Sequence, residues 1–197
     1  YSQSGRKLLT VQIDAAINSG NSGGPVIQKG KLAGIAMQVF QSGQNIGYMI
    51  PPPVIKHFFN DLKDNIYDGF PLMGVDYSRT ENKALRKHYG IDQLEGGVFI
   101  TNVLPHSSAY QVLQRGDIIL DVDGVDIGED GTFAFRHSER LSMPHLITMK
   151  QIGEHVNLTI VRQGKKQPIQ VELRPFVPLV PYPHHFEKPP FYIYGGL

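Results

Sequence analysis

The residues best placed to do chemistry lie in Asp14-Ala15-Ala16-Ile17-Asn18-Ser19-Gly20-Asn21-Ser22-Gly23-Gly24-Pro25. Three glycines and two serines crowd around Asn21, after an apolar run and before Val26-Ile27. That much glycine is needed only where a backbone turns sharply or approaches another group closely. Such a turn can aim successive N–H groups at one point and hold an anion there. A serine hydroxyl beside that point supplies the other part that acyl transfer needs, a nucleophile next to an oxyanion hole. Taken without its flanks, Gly-Asn-Ser-Gly-Gly reads at least as readily as a Gly-rich hairpin between strands. Gly20 to Gly24 also fits the Gly-x-Ser-x-Gly spacing of a nucleophile elbow. An elbow runs into a helix, however, and the residues after Pro25 are strand-like.

The flanks carry a resemblance. Asp-Ala-Ala-Ile-Asn-x-Gly-Asn-Ser-Gly-Gly-Pro closely resembles the active-serine segment of HtrA (Do-like, DegP-type) serine proteases, which have a chymotrypsin-like double β-barrel. The Gly34-Ile35-Ala36 strand, the run Asn45-Ile46-Gly47-Tyr48-Met49-Ile50-Pro51 and the module after it are also similar to that family, in its order. The resemblance implies that Ser22 is the nucleophile and that the N–H groups of Gly20 and Ser22 form the oxyanion hole. It implies that a substrate strand pairs along Ile35-Ala36-Met37 and that Ile17, Ala36 and Phe40 line the S1 pocket. None of these is charged, so small or aliphatic P1 side chains are expected; ordinary barrel core is the competing reading of the three. Asp14 is outside the family's triad and is expected to hold the serine loop. In the family the order is His, Asp, Ser, yet all eight histidines here come after Ser22, the nearest being His57. The base and its orienting carboxylate are therefore expected upstream of Tyr1, and the chain taken alone lacks the triad.

The elements that position the serine can be read from composition and punctuation. At 197 residues the chain is one large domain or two small ones. Hydrophobic residues make up 41%, enough for a packed core, and 21 Gly with 14 Pro favour turn-rich β structure over a helical bundle. A net charge of +1, from 19 basic and 18 acidic residues, argues against a nucleic-acid-binding surface. Without cysteine, disulfides and thiolate chemistry are excluded. No stretch reads as a membrane span, no cofactor is implied, and the compartment stays unread.

Leu8 to Ile13 predicts a strand into the serine loop. Val26-Ile27-Gln28 and Leu32 to Val39 flank Lys29-Gly30, a two-residue hairpin signal. Pro51-Pro52-Pro53 opens a helix, whose apolar face is Val54, Ile55, Phe58, Phe59 and Leu62. His57, between face positions, reads as a rim residue. Asp61 to Gly69 is a polar linker, with the boundary near Tyr67.

Pro71-Leu72-Met73-Gly74-Val75 resembles the carboxylate-binding loop of the PDZ domains that HtrA proteases carry. The resemblance implies that backbone N–H groups of Met73, Gly74 and Val75 meet a peptide's C-terminal carboxylate, with Leu72 beside its last residue. Glu81 to Tyr89 predicts a helix ended by Gly90, Val98 to Val103 a strand, Ser107 to Gln114 a short helix, and Asp117 to Val122 with Asp123-Gly124 a hairpin. Arg136 to Lys150 predicts a helix interrupted at Pro144, the other wall of the groove, with Leu141 and Leu146 as contacts. His155 to Val161 and Gln167 to Leu173, joined by Gln163-Gly164, close the sheet. The Pro- and aromatic-rich stretch after Arg174 reads as a connector, and Lys188-Pro189-Pro190-Phe191-Tyr192 resembles the entry to a second PDZ-like domain.

The expected fold class is mainly β: the C-terminal part of a chymotrypsin-like barrel (1–66), a PDZ domain (67–176, a β-sandwich with two helices), and a connector into a second PDZ-like domain (177–197). Asp121, Asp123, Asp126, Glu129 and Asp130 lack the glycine an EF-hand needs at its sixth position and read as solvated turn carboxylates. His184-His185 has no third ligand nearby, so no metal site is expected. The resemblance implies a serine endopeptidase that acts on unfolded polypeptides, recognises protein C-termini and assembles as trimers or their multiples. The alternative is a non-catalytic PDZ adaptor that binds C-terminal peptides without hydrolysing them.

Overall fold

The structure, a computed structural model, describes residues 8–15, 17–18, 20–39 and 47–176. Phe40, Asn45, Ile46, His184-His185 and the expected connector with its second PDZ-like entry lie outside the described residues.

Four antiparallel strands form the first unit: β1 (Val11–Ile13), β2 (Pro25–Gln28), β3 (Lys31–Val39) and β4 (Gly47–Ile50), in the order β1-β4-β3-β2. Lys29 and Gly30 turn the β2–β3 hairpin with φ of 50° and 74°. Two central residues of positive φ match the twist of paired strands, which is why such dipeptides signal hairpins. Asp123-Gly124 (50°, 77°) and Gln163-Gly164 (51°, 74°) repeat the device. Among the described residues this unit buries Ile17, Ala36 and Val54, while Ile27 and Leu32, opposite each other across β2 and β3, are 59% and 51% exposed. The sheet thus shows water an aliphatic surface of the kind usually covered.

Helix α1 (Pro52–Asp61) comes next, with proline in its first turn. Its buried stripe is Val54, His57 and Asp61, whereas Phe59 is 63% exposed. The apolar face read from the sequence is therefore rotated, and His57 is not a rim residue. It is 3% exposed, its Nε2 donates to the Lys150 carbonyl at 2.7 Å, and its ring stacks on Phe70 with centroids 4.2 Å apart. Gln151 Nε2 donates to the His57 carbonyl at 3.3 Å, and Asp61 Oδ2 accepts from the Gly69 N–H at 2.9 Å. These contacts seat α1 on the second unit.

The second unit is a six-stranded antiparallel sheet of β5 (Val75–Ser78), β6 (Val98–Val103), β7 (Ile118–Val122), β8 (Val125–Asp126), β11 (His155–Arg162) and β12 (Lys165–Glu172). Its order is β12-β11-β7-β6-β5, with β8 on β7. A hairpin of β9 (Thr132–Arg136) and β10 (Glu139–Ser142) and two helices, α2 (Lys83–His88) and α3 (Pro144–Thr148), complete it. The core lies here. Val156, Leu158 and Ile160 alternate inward on β11 and pack with Ile100, Ile119 and Met143. Asn82 caps α2, accepting from the N–H groups of Ala84 and Leu85 at 2.9 and 3.2 Å, and Gly90 leaves it with φ of 65°.

Buried charge in this unit is paired. Asp117, fully buried, takes a fork from Arg162 Nε and Nη2, both at 2.7 Å, and that bond raises the guanidinium's already high affinity for its proton. Arg86 is spent on the carbonyls of Ile91, Leu94 and Gly96 and on Glu129.

One predicted helix forms only in part, and another not at all. Arg136 to Lys150 splits into the rest of the β9–β10 hairpin and the five residues of α3. Phe133 buries from β9 and faces Leu141 across the hairpin, and Arg140 reaches Thr132 from the facing strand. Pro144 starts α3 instead of breaking a longer helix, since a first-turn residue needs no N–H partner. Ser107 to Gln114 is a chain of turns, because His106 and Gln111 take φ of 60° and 65°, outside the helical region.

Candidate functional site

The loop carrying Ser22 is fastened to β3. Gly23 N donates to the Ala36 carbonyl at 2.7 Å, and Ala36 N donates to the Gly24 carbonyl at 2.9 Å. Asn21 N closes on Asn18 and Gly24 N on Asn21. Gly20 and Gly23 stand at φ of 100° and 86°, a backbone that side chains with a Cβ rarely adopt. With the carbonyls so used, the N–H groups of Gly20 and Ser22 have no acceptor among the described residues. They are exposed donors beside an exposed hydroxyl.

That hydroxyl is held but not activated. Ser22 Oγ donates to the Met37 carbonyl at 2.9 Å, and an amide oxygen cannot take its proton away. No histidine or carboxylate among the described residues bonds to Ser22, and His57 is committed to Lys150. Asp14 is exposed, with no bond to the loop among the described residues.

The expected substrate strand is partly occupied. Ile35 pairs with Pro25 on one side and Ile50 on the other, and both polar groups of Ala36 hold the serine loop. Among the described residues, the β2 side of β3 is unpaired only beyond Ala36, from Met37 onward, save for the Ser22 hydroxyl. Ile17 and Ala36 are 8% and 7% exposed, so they are packed positions; Ile17 lies against Gly47, where an added Cβ would stand 2.7 Å from its Cδ1.

The second candidate site is the groove between β5 and α3, lined by Leu72, Met73, Gly74, Val75, Met143 and Ile147, with Pro71, Tyr77, Pro144 and Thr148. Among the described residues β5 ends its sheet, which leaves an outer edge of the kind that takes an added strand. The carbonyls of the approach loop are bonded away from the groove. Leu72 accepts from Ser108 Oγ, Met73 from Ala109 N and Gly74 from Leu104 N, at 3.1, 2.9 and 2.9 Å. The N–H groups of Met73 and Gly74 remain without acceptors among the described residues. Adjacent N–H groups without acceptors are what an anion-binding nest requires. Gly74, at φ of 79°, makes the turn.

The far wall differs from expectation. Leu141 and Leu146 pack partly buried against the core and do not line the groove; Met143 and Ile147 do. The acidic cluster is spent locally: Asp130 on Thr132, and Asp123 on Asn157 and Lys150. Burial works against the Asp123 charge, but the Asn157 and Lys150 bonds outweigh it and hold its carboxyl below the usual value. A larger hollow of about 360 Å³ lies beside Tyr89 and the β11–β12 turn, lined by His88, Gly116, Ile118 and Gln163.

Sequence reading missed His145 on α3. It lies parallel to Phe133 and edge-on to Phe135, at centroid distances of 6.2 and 5.7 Å. Burial there lowers its affinity for a proton below the ordinary 6.5. The unfolded chain then binds that proton more readily, so the stability contribution is full above 6.5 and is lost as pH falls through it toward the depressed value. Thermal melts from about pH 7.5 to about pH 5.5 should show a falling midpoint in the wild type and a shallower fall in His145→Phe.

A family profile described as PDZ domain matches residues 71–173, just over half of the chain, and one described as trypsin matches residues 5–58. All of the chain aligns at 42% identity with Protease Do-like 4, mitochondrial, of Arabidopsis thaliana. The chain belongs to the HtrA/Do-like serine protease family. It also aligns throughout, at 42% identity, with Protease Do-like 2, chloroplastic, of the same plant. A variant of the HtrA-type protease AlgW, solved with a decapeptide, superposes with a TM-score of 0.64 and 25% identity over 88% of this chain and 51% of that one. The HtrA/Do-like chain spans 38% and 33% of the two plant relatives. Its mainly β architecture, a partial trypsin-like region before a PDZ domain, is that of the family. No helix among its described residues is long and apolar enough to cross a membrane.

Proposed function

We propose that the chain is the serine-bearing and peptide-binding part of an HtrA-type endopeptidase, divided as 1–66, 67–176 and 177–197. Ser22 is the nucleophile, and the Gly20 and Ser22 N–H groups receive the oxyanion. A histidine base, with its carboxylate, comes from residues outside 1–197. On its approach Ser22 Oγ leaves the Met37 carbonyl and gives up its proton as it attacks a peptide carbonyl. The tetrahedral intermediate collapses with cleavage of the C–N bond, the histidine gives its proton to the leaving amine of the C-terminal product, and water then hydrolyses the acyl-enzyme ester. The open edge of β3 beyond Ala36 pairs with the substrate backbone, and the packed Ile17 and Ala36 favour small or aliphatic side chains next to the cleaved bond.

The groove at Leu72 to Val75 captures the C-termini of unfolded polypeptides. The AlgW structures solved with a decapeptide and a tripeptide support peptide recognition in this family. The observation that carries the reading is that the Gly20 and Ser22 N–H groups, in exposed residues beside the Ser22 hydroxyl, have no acceptor among the described residues. Assembly into trimers or their multiples rests on the family alone. An adaptor that binds peptides without cleaving them is the second reading, favoured by the Ser22–Met37 bond, which leaves the hydroxyl unactivated.

A fluorophosphonate reagent separates the two. Labelling of Ser22 in the longest natural protein containing this chain, and not in residues 1–197 alone, is the expected result. Absence of labelling in both, with retained binding of C-terminal peptides, selects the adaptor.

A further inference from the structure

His57 stands where three pieces of the molecule meet. It belongs to α1, on the serine-bearing unit. Its ring lies on Phe70, the residue before the loop that forms one wall of the groove. Its Nε2 holds the carbonyl of Lys150, two residues after the end of α3, which forms the other wall. Lys150 is itself fixed: its ammonium meets Asp123 and the His155 carbonyl, each at 2.9 Å, and its N–H bonds back to Ile147 on the groove. One side chain therefore touches the supports of both walls.

A carbonyl only accepts, so Nε2 carries a hydrogen and the ring is the donor in this bond. Nδ1 is buried without a hydrogen-bond partner among the described residues. A phenylalanine or a leucine would spare Nδ1 its burial but would leave the Lys150 carbonyl without its donor. What histidine adds is a stacking ring and a directed donor in one side chain.

We propose that His57 is a positioning residue for peptide capture: it clamps the Phe70 and Lys150 supports and so fixes the width of the groove. The inference rests on the groove being the peptide site. A groove held open at its bound width spares a peptide the cost of ordering its walls, and the gain appears mainly as slower dissociation. By reciprocity, peptide in the groove tightens the seat of α1.

The test uses the full chain and a fluorescent decapeptide ending in leucine, with its carboxamide as control. The wild type should bind the free acid and not the amide. His57→Ala should weaken binding about tenfold, through faster release. His57→Gln, which keeps a donor near the Nε2 position, should recover part of the loss, and His57→Phe, which keeps only the stack, should recover less. Val54→Ala loosens α1 without touching the clamp and should lower the melting temperature while leaving affinity unchanged. Added peptide should slow hydrogen exchange in α1 of the wild type and not of His57→Ala. Equal affinity of wild type and His57→Ala overturns the clamp, as does a Val54→Ala loss as large as that of His57→Ala. Failure of the wild type to prefer free acid over amide overturns the groove reading itself, and the clamp with it.

Discussion

Replacing Ser22 by alanine in the intact enzyme should lower peptide hydrolysis by about 10⁶ in kcat while leaving capture of C-terminal peptides unchanged. The size reflects the way a nucleophile, base and oxyanion hole act as one unit: removing the nucleophile leaves only the residual help of binding and charge stabilisation. Folding should not suffer. Ser22 is exposed, and the bond it loses, to the Met37 carbonyl, is one that water can replace. The loop keeps its shape through Gly23, Gly24 and Asn21, whose backbone bonds do not involve the Ser22 side chain. Steady-state cleavage of a fluorogenic unfolded substrate, run beside peptide anisotropy, checks both halves. Hydrolysis that survives the substitution sinks the assignment of Ser22.

The second large effect is expected at Gly74. A Cβ there would overlap the Ser107 side chain, lying 2.5 Å from its Oγ, and the φ of 79° is unfavourable for any residue bearing one. Gly74→Ala must therefore move the loop whose N–H groups face the groove. The strain costs about 1–3 kcal/mol at the backbone, and overpacking against Ser107 adds to it. Peptide affinity should fall about a hundredfold or more, because displaced donors no longer converge on one carboxylate. Ser107→Gly placed in the same chain removes the overlap but not the φ penalty. It should restore part of the stability and part of the affinity. Anisotropy titration and thermal melting of the single and double variants read the two contributions apart, and unchanged affinity in Gly74→Ala would show that these N–H groups do not hold the carboxylate.

Much of this was legible in residue order because the controlling physics is local. Glycine crowding around Ser22 dictated a tight, donor-presenting turn, and the structure supplies one, with positive φ at Gly20 and Gly23. Lys29-Gly30, Asp123-Gly124 and Gln163-Gly164 each dictated a two-residue hairpin. Pro52 and Pro53 marked the start of α1, and the helix read from Glu81 to Tyr89 and ended by Gly90 forms as α2 within a residue or two of those bounds. None of these needed a partner distant in sequence.

What tertiary structure alone decided is where a local signal was ambiguous or a contact was remote. A stretch of mixed polarity such as Arg136 to Lys150 suits a hairpin as well as a helix, and the pairing of β10 with β9, whose Phe133 is buried in the core, made its first part a strand. The rotation of α3 was then fixed by Met143 and Ile147 packing inward, which brought those two residues, and not Leu141 or Leu146, to the groove. His57 looked like a rim residue because its partners, Phe70 and Lys150, lie 13 and 93 positions away. Helical periodicity reports which side of α1 is apolar, but not which polar side chain a second unit will cover. Contacts of that kind arise only when the whole chain is folded, since no single segment contains both groups.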